Sequence, residues 1–249
     1  KMVYGKKILL LGVYGMEMVE CGGVLCKNAR NGGISHASIM FASEGMQKEI
    51  NDAAEKLDTT VEYLHFDSIT ISSVSWEAKS ALIRVIRNTK PDIIITQDPE
   101  HCVEDLDPGR RPAMELLLES MALAGRDYDM PGLEDTVPHR DYSVYYMTPQ
   151  HPNCLVDISD VWDEKCEAMD MLKKQLEFIG ELSRGHGKND LYEKVFPSIR
   201  DKNDLERGTI MKKVMDQAYH LYHGATGHNN VLFSENYRKQ GMFVLDQLI

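Results

Sequence analysis

The feature that most constrains the fold is an apolar run near the N-terminus that breaks at a glycine and continues into a helical pattern. Residues 8–11 are all aliphatic, Gly12 follows them, and the pair Gly22 and Gly23 lies in the helical pattern that comes next. This order predicts a strand, a short loop and a helix packed closely on its own sheet. Ligands bind outside the carboxyl ends of the strands in open α/β sheets, so we expect loop 13–17 to face a functional site.

The rest of the chain alternates apolar runs with amphipathic patterns, which indicates an α/β fold. Right-handed crossovers between such strands give a Rossmann-like, mostly parallel sheet flanked by helices. We interpret residues 1–249 as one domain with this sheet. The further predicted strands are 37–42, 61–66, 92–96 and 142–147, and the predicted helices include 47–57, 75–88, 108–124 and 164–182.

Composition and charge narrow the possible partners. The formal net charge is -11, which argues against binding to a nucleic-acid backbone, because phosphate recognition needs clustered Lys and Arg. No apolar run approaches the roughly 20 residues that a membrane span needs, and the sequence begins without the long apolar segment of a signal peptide. We therefore expect a cytoplasmic protein without a membrane partner.

Three stretches carry a resemblance to a known family. Residues 7–23 resemble the opening of the PIG-L/LmbE-like superfamily, zinc-dependent N-deacetylases of N-acetylglucosaminyl compounds. In that superfamily the first strand runs into Ala-His-Pro-Asp-Asp and a Gly-Gly helix. Residues 155–162, followed by Lys165 and Gln175, match a second motif of the family. The tail 227–237 is most similar to a hydratase member, 4-oxalomesaconate hydratase. The resemblance implies a PIG-L/LmbE-like fold.

The residues that the resemblance would assign to zinc are missing. Val13 stands at the position of a metal-binding His, Met16 at that of a metal-binding Asp, and Arg110 at that of the third ligand, a His. Gly15 stands where the family has the Asp that serves as general base. We therefore predict that no zinc binds there and that the protein needs no cofactor. A replacement metal site remains open, with candidate ligands His36, His101, His228, Glu17, Glu20 and Glu104.

Arg110 replaces a metal ligand by a permanent cation. A guanidinium can bind a carboxylate or an oxyanion through two hydrogen bonds, although it does not acidify water as zinc does. In one interpretation Arg110 faces free backbone N–H groups of loop 12–16, which would favour an anionic ligand. In the other, Arg110 and Arg111 point into solvent or pair with Asp105 and Asp107. A cation at a helix N-terminus requires a nearby anion, from the protein or from a ligand.

The remaining candidates are polar residues of the predicted loops. Glu17 and Glu20 are spaced to share one helix side, where either could be a general base or simply a carboxylate favoured by the helix dipole. Tyr14 could bind a substrate or fill the emptied metal cavity, and His228 could belong to a lid or to a simple connection. The candidate catalytic residues are Glu17 and Arg110, and the candidate substrate-binding residues are Tyr14, Gly15, Glu20, Asp98, His101, Arg111 and His228.

Three functions remain open at this level. The first is a metal-free protein that binds a small anionic or sugar-like ligand, as a pseudoenzyme or beside an active paralogue. The second is an active hydrolase or hydratase with a rebuilt site. The third is a non-catalytic structural subunit of an oligomer. A homo-oligomer is expected in any case, because the helical region 201–222 and the closing segment 233–248 are rich in apolar residues.

Overall fold

A computed structural model describes residues 5–127, 129–184 and 191–244 of the chain. These residues form one seven-stranded sheet with the strand order β3-β2-β1-β4-β5-β7-β6. All strands run in the same direction except β7, which pairs antiparallel with both β5 and β6. The predicted α/β, mostly parallel sheet is therefore confirmed. The strands are β1 Lys7–Gly12, β2 Ile34–Ile39, β3 Thr59–Tyr63, β4 Ile93–Gln97, β5 Ser143–Met147, β6 Cys154–Asp157 and β7 Ser234–Lys239.

Helices cover both faces of the sheet. Side chains of β1 alternate between two cores, with Ile8 and Leu10 in one and Leu9 and Leu11 in the other. This alternation buries the strand on both sides, as its continuous apolar sequence predicts. No helix among the described residues is long and apolar enough to cross a membrane. The helices are α1 Glu17–Glu20, α2 Gly22–Arg30, α3 Glu44–Lys56, α4 Ser68–Ser72, α5 Trp76–Thr89, α6 Pro99–Glu104, α7 Arg110–Ala124, α8 Trp162–Asp170, α9 Lys173–Leu182, α10 Leu191–Val195 and α11 Asp204–His223.

The glycine pair in α2 has a packing role. A Cβ atom added at Gly23 would lie 2.5 Å from the Cγ2 atom of Ile158 and 2.8 Å from the Glu235 carboxylate. Such distances are far below van der Waals contact, so any larger residue would push the helix away from its neighbours. The predicted close packing of this helix is confirmed.

Several predicted boundaries are wrong. Strand β2 spans Ile34–Ile39 rather than 37–42, and β3 spans Thr59–Tyr63 rather than 61–66, because pairing with the neighbouring strand fixes a strand more firmly than its apolar residues do. The predicted helix 164–182 is divided into α8 and α9 at Met171 and Leu172. The sequence between the predicted strand 92–96 and the predicted helix 108–124, interpreted as a loop, contains α6, which Asp98 caps and Pro99 begins.

Candidate functional site

A small cavity lies where three strands end. Strand β1 runs into the loop that leads to α1, β4 ends at Gln97, and β5 ends at Met147. Because β1 and β4 are neighbours while the chain leaves them toward opposite edges of the sheet, this is the topological switch point at which α/β sheets bind ligands. The cavity holds about 180 Å³ and is lined by Met16, Glu17, Glu20, Gln97, Asp98, His101, Asp105, Arg110, Met147 and Thr148.

Glu17 forms the floor of this cavity and closes the loop after β1. Its carboxylate accepts hydrogen bonds from the backbone N–H groups of Val13 at 3.2 Å, Tyr14 at 3.2 Å and Gly15 at 2.8 Å. The side chain is only 5% exposed. The loop N–H groups are thus already satisfied by a carboxylate of the protein itself. The expectation that these groups are free to bind an anionic ligand is wrong, because Glu17 takes the place of that anion.

Gly15 permits this loop conformation. Its φ angle of 94° lies in the left-handed region, which side chains other than glycine adopt at a cost. A Cβ atom at this position would also lie 2.5 Å from the Cδ1 atom of Ile50 in α3. Gly15 therefore contributes through its backbone conformation. A side chain at this position would point into the core rather than toward a ligand.

Arg110 lies directly against Glu17. Its Nη1 atom donates to Oε1 of Glu17 at 2.9 Å and to Oε1 of Gln97 at 2.9 Å. The Nε atom is 4.0 Å from Oδ2 of Asp105. Burial alone would lower the pKa of Arg110, but the charge of Glu17 and its hydrogen bond outweigh burial and raise that pKa. The guanidinium is therefore a fixed cation whose charge is compensated within the protein.

Tyr14 closes the other side of the arginine. The guanidinium carbon of Arg110 lies 4.8 Å from the centre of the Tyr14 ring, a cation–π contact. The Tyr14 hydroxyl donates to Oδ1 of Asp107 at 3.1 Å. Burial, together with this hydrogen bond to Asp107, raises the pKa of Tyr14 to about 12. Tyr14 thus packs against Arg110 as a protonated phenol, and its ring makes an edge contact with Phe41.

A second ion pair anchors the opposite wall. The carboxylate of Asp98 is buried and accepts from the guanidinium of Arg238 in β7, with Nε at 3.1 Å from Oδ1. The other carboxylate oxygen caps α6 by accepting from the N–H of His101 at 3.3 Å. The imidazole of His101 itself is exposed at the rim, 3.9 Å from a carboxylate oxygen of Asp105. Asp98 therefore orients the wall, while His101 is available to a ligand.

Glu20 is the cavity carboxylate with the weakest protein contacts. Its Oε1 atom lies 3.8 Å from Nζ of Lys212, and its side chain is 30% exposed. Burial raises the pKa of Glu20, and the cation of Lys212 lowers it by less. Raised carboxylate pKa values in clefts are typical of groups that bind or move protons. Of the two glutamates proposed from the sequence, Glu20 is the one that remains accessible.

A fully satisfied network of charged groups lies beneath the site. Lys165 in α8 donates to Oε1 of Glu235 at 2.8 Å and to the carbonyl oxygen of Val19 at 2.7 Å. Glu235 also accepts from the N–H of Gly23 at 2.7 Å, and the Tyr237 hydroxyl donates to its other oxygen at 2.9 Å. Both charged side chains are 3% exposed. The network ties α1, α2 and α8 to β7 and so holds the loop after β1 in place.

The structure brings five of the predicted site residues together. Glu17, Glu20, Asp98, His101 and Arg110 line the cavity. Tyr14 and Gly15 support it from outside, through their contacts with Arg110 and Glu17.

Two predicted residues do not belong to the cavity. Arg111 is exposed and donates to the carbonyl oxygen of Asp105. His228 is exposed, has a φ angle of 60° after α11, and does not line the cavity.

Several residues of the site were not predicted from the sequence. Gln97 ends a buried strand at the carboxyl edge, which is a usable signal, and it also donates from Nε2 to the carbonyl oxygen of Arg110 at 3.3 Å. Asp105 was considered only as a surface partner of Arg110. Arg238 lies 140 positions from Asp98, and nothing local in the sequence predicts that pair.

The residues at the expected zinc position do not fit that metal. Val13 has no donor atom and its side chain is fully buried in the core, while Met16 offers only a thioether. Arg110 places a cation there that would repel a metal. In the part of the chain that the structure describes, no group of three or more His, Cys, Asp or Glu side chains could hold a metal ion. Of the replacement ligands suggested by sequence, His36 instead contacts Thr60 and Glu62 on β3.

Comparison with solved structures identifies the fold. The 4-carboxy-2-hydroxymuconate hydratase GalB from Pseudomonas putida KT2440 is similar with a TM-score of 0.66 and 18% identity, over 97% of this chain and 99% of that chain. The N,N'-diacetylchitobiose deacetylase from Pyrococcus horikoshii is similar with a TM-score of 0.66 and 19% identity, over 94% of this chain and 84% of that chain. The conserved protein TT1542 from Thermus thermophilus is similar with a TM-score of 0.66 and 18% identity, over 98% of this chain and 100% of that chain.

These likenesses confirm the predicted fold. The chain has the PIG-L/LmbE-like fold that these proteins share. No protein-family model matches the sequence, and no curated protein matches it. At this level of identity the similarity describes the backbone, while the chemistry of the site follows from the side chains of this chain.

Proposed function

We propose that this protein is a metal-independent binder of a small sugar-like molecule, with an internal ion pair where the resemblance to zinc-dependent deacetylases implies a metal site. The observation that carries the proposal is the contact of Arg110 with Glu17, which accepts from the loop N–H groups at the same time. A cation fixed in this way supplies charge and hydrogen bonds without activating water. The cavity beside it remains open to a ligand.

Charge balance favours a neutral polar ligand over an anion. The positive charge of Arg110 is compensated by Glu17, and that of Arg238 by Asp98. The side chains left to meet a ligand include the carboxylates of Glu20 and Asp105, which accept hydrogen bonds. Hydroxyl and amide N–H groups donate to such acceptors, whereas a ligand carboxylate would be repelled. The small anionic ligand that the sequence also suggested is thus the weaker candidate.

The structural relatives guide the choice of probe. One of them is a deacetylase of N,N'-diacetylchitobiose, a molecule with hydroxyl and acetamido groups. Another is the hydratase of 4-carboxy-2-hydroxymuconate, a molecule with several carboxylates. N-acetylglucosamine therefore represents the neutral ligand and citrate the anionic one.

Calorimetric titration of chelator-treated protein tests the proposal. We expect N-acetylglucosamine to bind and citrate not to bind. Glu20→Gln should weaken sugar binding by about tenfold, the loss of one hydrogen bond to a charged group. His228→Gln, an exposed change away from the cavity, is the control and should leave binding unchanged. Binding of citrate alone, or of neither molecule, would contradict the proposal.

An active enzyme with rebuilt chemistry is a second candidate, and Glu20 is the observation that favours it. Glu17 is engaged by Arg110 and three N–H groups, so it is not free to take a proton, whereas Glu20 is accessible and burial raises its pKa. An active hydrolase or hydratase on this site would use Glu20 as its base. Acetate release from N,N'-diacetylchitobiose by chelator-treated wild type, abolished in Glu20→Gln, would support this candidate, and its absence would leave the binding function.

A homo-oligomer, or an assembly with an active paralogue, remains part of the proposal. Apolar side chains at the end of the described chain are exposed: Tyr222 68%, Leu232 52%, Met242 89% and Val244 94%. Residues 245–248 of the predicted closing segment lie outside the described residues. Exposed apolar groups of this kind favour association. Light scattering at micromolar concentration is the test, and a monomer would count against it.

A further inference from the structure

A chamber with mostly apolar walls lies at the carboxyl edge of the sheet, and Tyr14 forms part of its wall. It holds about 370 Å³, within the range of about 300–1,000 Å³ that ligand pockets occupy. Arg110, which the Tyr14 ring contacts, lines the site cavity instead. The Tyr14 ring therefore lines one space and contacts the wall of the other. The walls of this apolar chamber include Tyr14, Phe41, Ile69, Ile71, Asp107 and Pro108.

Two aromatic rings form a corner of the apolar chamber. The ring centroids of Tyr14 and Phe41 are 6.0 Å apart, and the ring planes meet at 88°. Phe41 is 41% exposed and Ile69 is 75% exposed, although both are large apolar side chains. A ligand with an apolar body would cover these side chains when it binds. The faces of aromatic rings also attract cations, and proteins use this attraction to recognise alkylated ammonium ions.

Asp107 supplies a negative charge that has no ion-pair partner among the described residues. The Tyr14 hydroxyl donates to its Oδ1 atom at 3.1 Å, and the N–H group of Gly109 donates to the same atom at 2.8 Å. In the described part of the chain Oδ2 has no hydrogen-bond partner, and it is not fully enclosed by protein. Of the described residues that line the apolar chamber, Asp107 alone is charged. The chamber therefore favours a positively charged ligand.

The nearby cation of Arg110 does little to oppose such a ligand. Its guanidinium is paired with Glu17 at 2.9 Å, so its charge is compensated within the protein. An anion, by contrast, would meet the carboxylate of Asp107. A primary ammonium group is strongly hydrated, whereas alkyl groups on the nitrogen give the cation an apolar surface. The rings and the isoleucines of the chamber can contact that surface.

We infer that the apolar chamber is a binding site for a small alkylated ammonium ion. The positive charge of the ion would lie beside Oδ2 of Asp107, and its alkyl groups would pack against the rings of Tyr14 and Phe41. Ile69 on α4 would contact the same alkyl groups. The inference does not depend on the proposed binding of a sugar-like molecule, because Glu20 and the site cavity take no part in it.

Calorimetric titration with choline and its uncharged analogue, in which a carbon atom replaces the nitrogen, tests the requirement for charge. At constant ionic strength we expect choline to bind at least about tenfold more tightly, because it alone is attracted by Asp107 and by the ring faces. Asp107→Asn keeps Oδ1 as an acceptor and removes the charge, so it should remove most of this preference. Glu104→Gln, which also removes one negative charge, lies at an exposed position outside the chamber. It is the control and should retain the preference.

A second variant guards against a folding defect in Asp107→Asn. Phe41→Leu keeps an apolar side chain at an exposed position but removes the ring. It should lower the affinity for choline by about threefold to tenfold, the effect of one cation–π contact, and change the affinity for the uncharged analogue by less than about twofold. Equal affinity of wild type for the two probes, unchanged choline affinity in either variant, or absence of choline binding would overturn the inference.

Discussion

The Nη1 atom of Arg110 lies 2.9 Å from Oε1 of Glu17, at the point where the resemblance of this sequence to zinc-dependent deacetylases would require a metal ligand. Glu17 is held by three backbone N–H groups of the loop after β1, and Arg110 is held by Gln97 and by the ring of Tyr14. The pair therefore joins the loop after β1 to the N-terminus of α7.

Breaking this pair should destabilise the fold. Glu17→Gln leaves Arg110 without its main counterion and removes acceptors from the loop, so we expect a loss of about 2–4 kcal/mol in the free energy of unfolding. Arg110→Met should cost less, about 1–2 kcal/mol, because the Arg110 side chain is 25% exposed and Glu17 keeps its three N–H donors. Urea denaturation measures both. Arg111→Met at the exposed neighbouring position is the control, and an equal effect of the two arginine variants would contradict the importance of the pair.

The loop after β1 should depend on Gly15 for two separable reasons. Gly15 and Gly132 both have positive φ angles, 94° and 83°, but an added Cβ meets Ile50 only at Gly15, while nothing lies within 4 Å at Gly132. Gly132→Ala should therefore cost about 1–2 kcal/mol from backbone strain alone. Gly15→Ala should cost about 1–3 kcal/mol more through overpacking. Thermal and urea unfolding compare the two, and equal losses would show that the contact with Ile50 is unimportant.

The pattern of success and failure in the sequence-based predictions has a physical cause. The first strand, its glycine and the Gly-Gly helix follow from local periodicity. The position of Arg110 near the loop follows from the family resemblance, which aligns Arg110 with a metal ligand. The role of Glu17 does not follow in this way. Its helix position fits an N-terminal carboxylate or a base equally well, and the choice depends on Arg110, which lies 93 positions away.

A cavity of about 320 Å³ between α11 and Glu20 was not predicted, for a related reason. The local sequence pattern of α11 is typical of a surface helix with polar positions at Lys212, Asp216 and His220. These side chains face inward only because α11 packs beside Glu20 and Lys165. The predicted boundaries of β2 and β3 were wrong because hydrogen-bonded pairing with the neighbouring strand, rather than the apolar pattern, determines where these strands begin.

Breaking the buried ion pair of Lys165 and Glu235 should lower the free energy of unfolding more than breaking an ion pair at the surface. Lys165→Met leaves the Glu235 carboxylate buried without a counterion, and we expect a loss of about 3–5 kcal/mol in the free energy of unfolding. Lys27→Met breaks the half-exposed pair with Asp160 and should cost about 0–1 kcal/mol. Chemical denaturation of both variants is the measurement. A small effect at Lys165 would show that the network beneath the site contributes little.

Stability should fall on mild acidification because of His220. Its pKa is about 3 in the folded protein, whereas an unfolded histidine titrates near 6.5. Below pH 6.5 the unfolded chain therefore binds a proton that the folded chain excludes, so folding becomes weaker by up to about 1.4 kcal/mol per pH unit until the folded pKa is reached. The effect is absent above pH 6.5.

Urea denaturation between pH 7 and pH 5.5 measures this contribution as the difference in slope between wild type and His220→Gln. The comparison is needed because burial also raises the pKa of Glu20 and lowers that of His223. His220→Gln removes the titrating group and should flatten the dependence, whatever its effect on stability at pH 7. His228→Gln, at an exposed position, should keep the wild-type slope. Parallel slopes for wild type and His220→Gln would mean that another group is responsible.

Equilibrium dialysis against zinc, followed by elemental analysis, tests the central claim most directly. We predict that wild-type protein retains no stoichiometric zinc, because Val13, Met16 and Arg110 offer one thioether and a compensated cation in place of three ligands. The triple variant Val13→His, Met16→Asp and Arg110→His, measured in parallel, should retain more zinc than wild type. Stoichiometric zinc in the wild-type protein would contradict the claim that the Arg110 and Glu17 pair has taken the place of the metal.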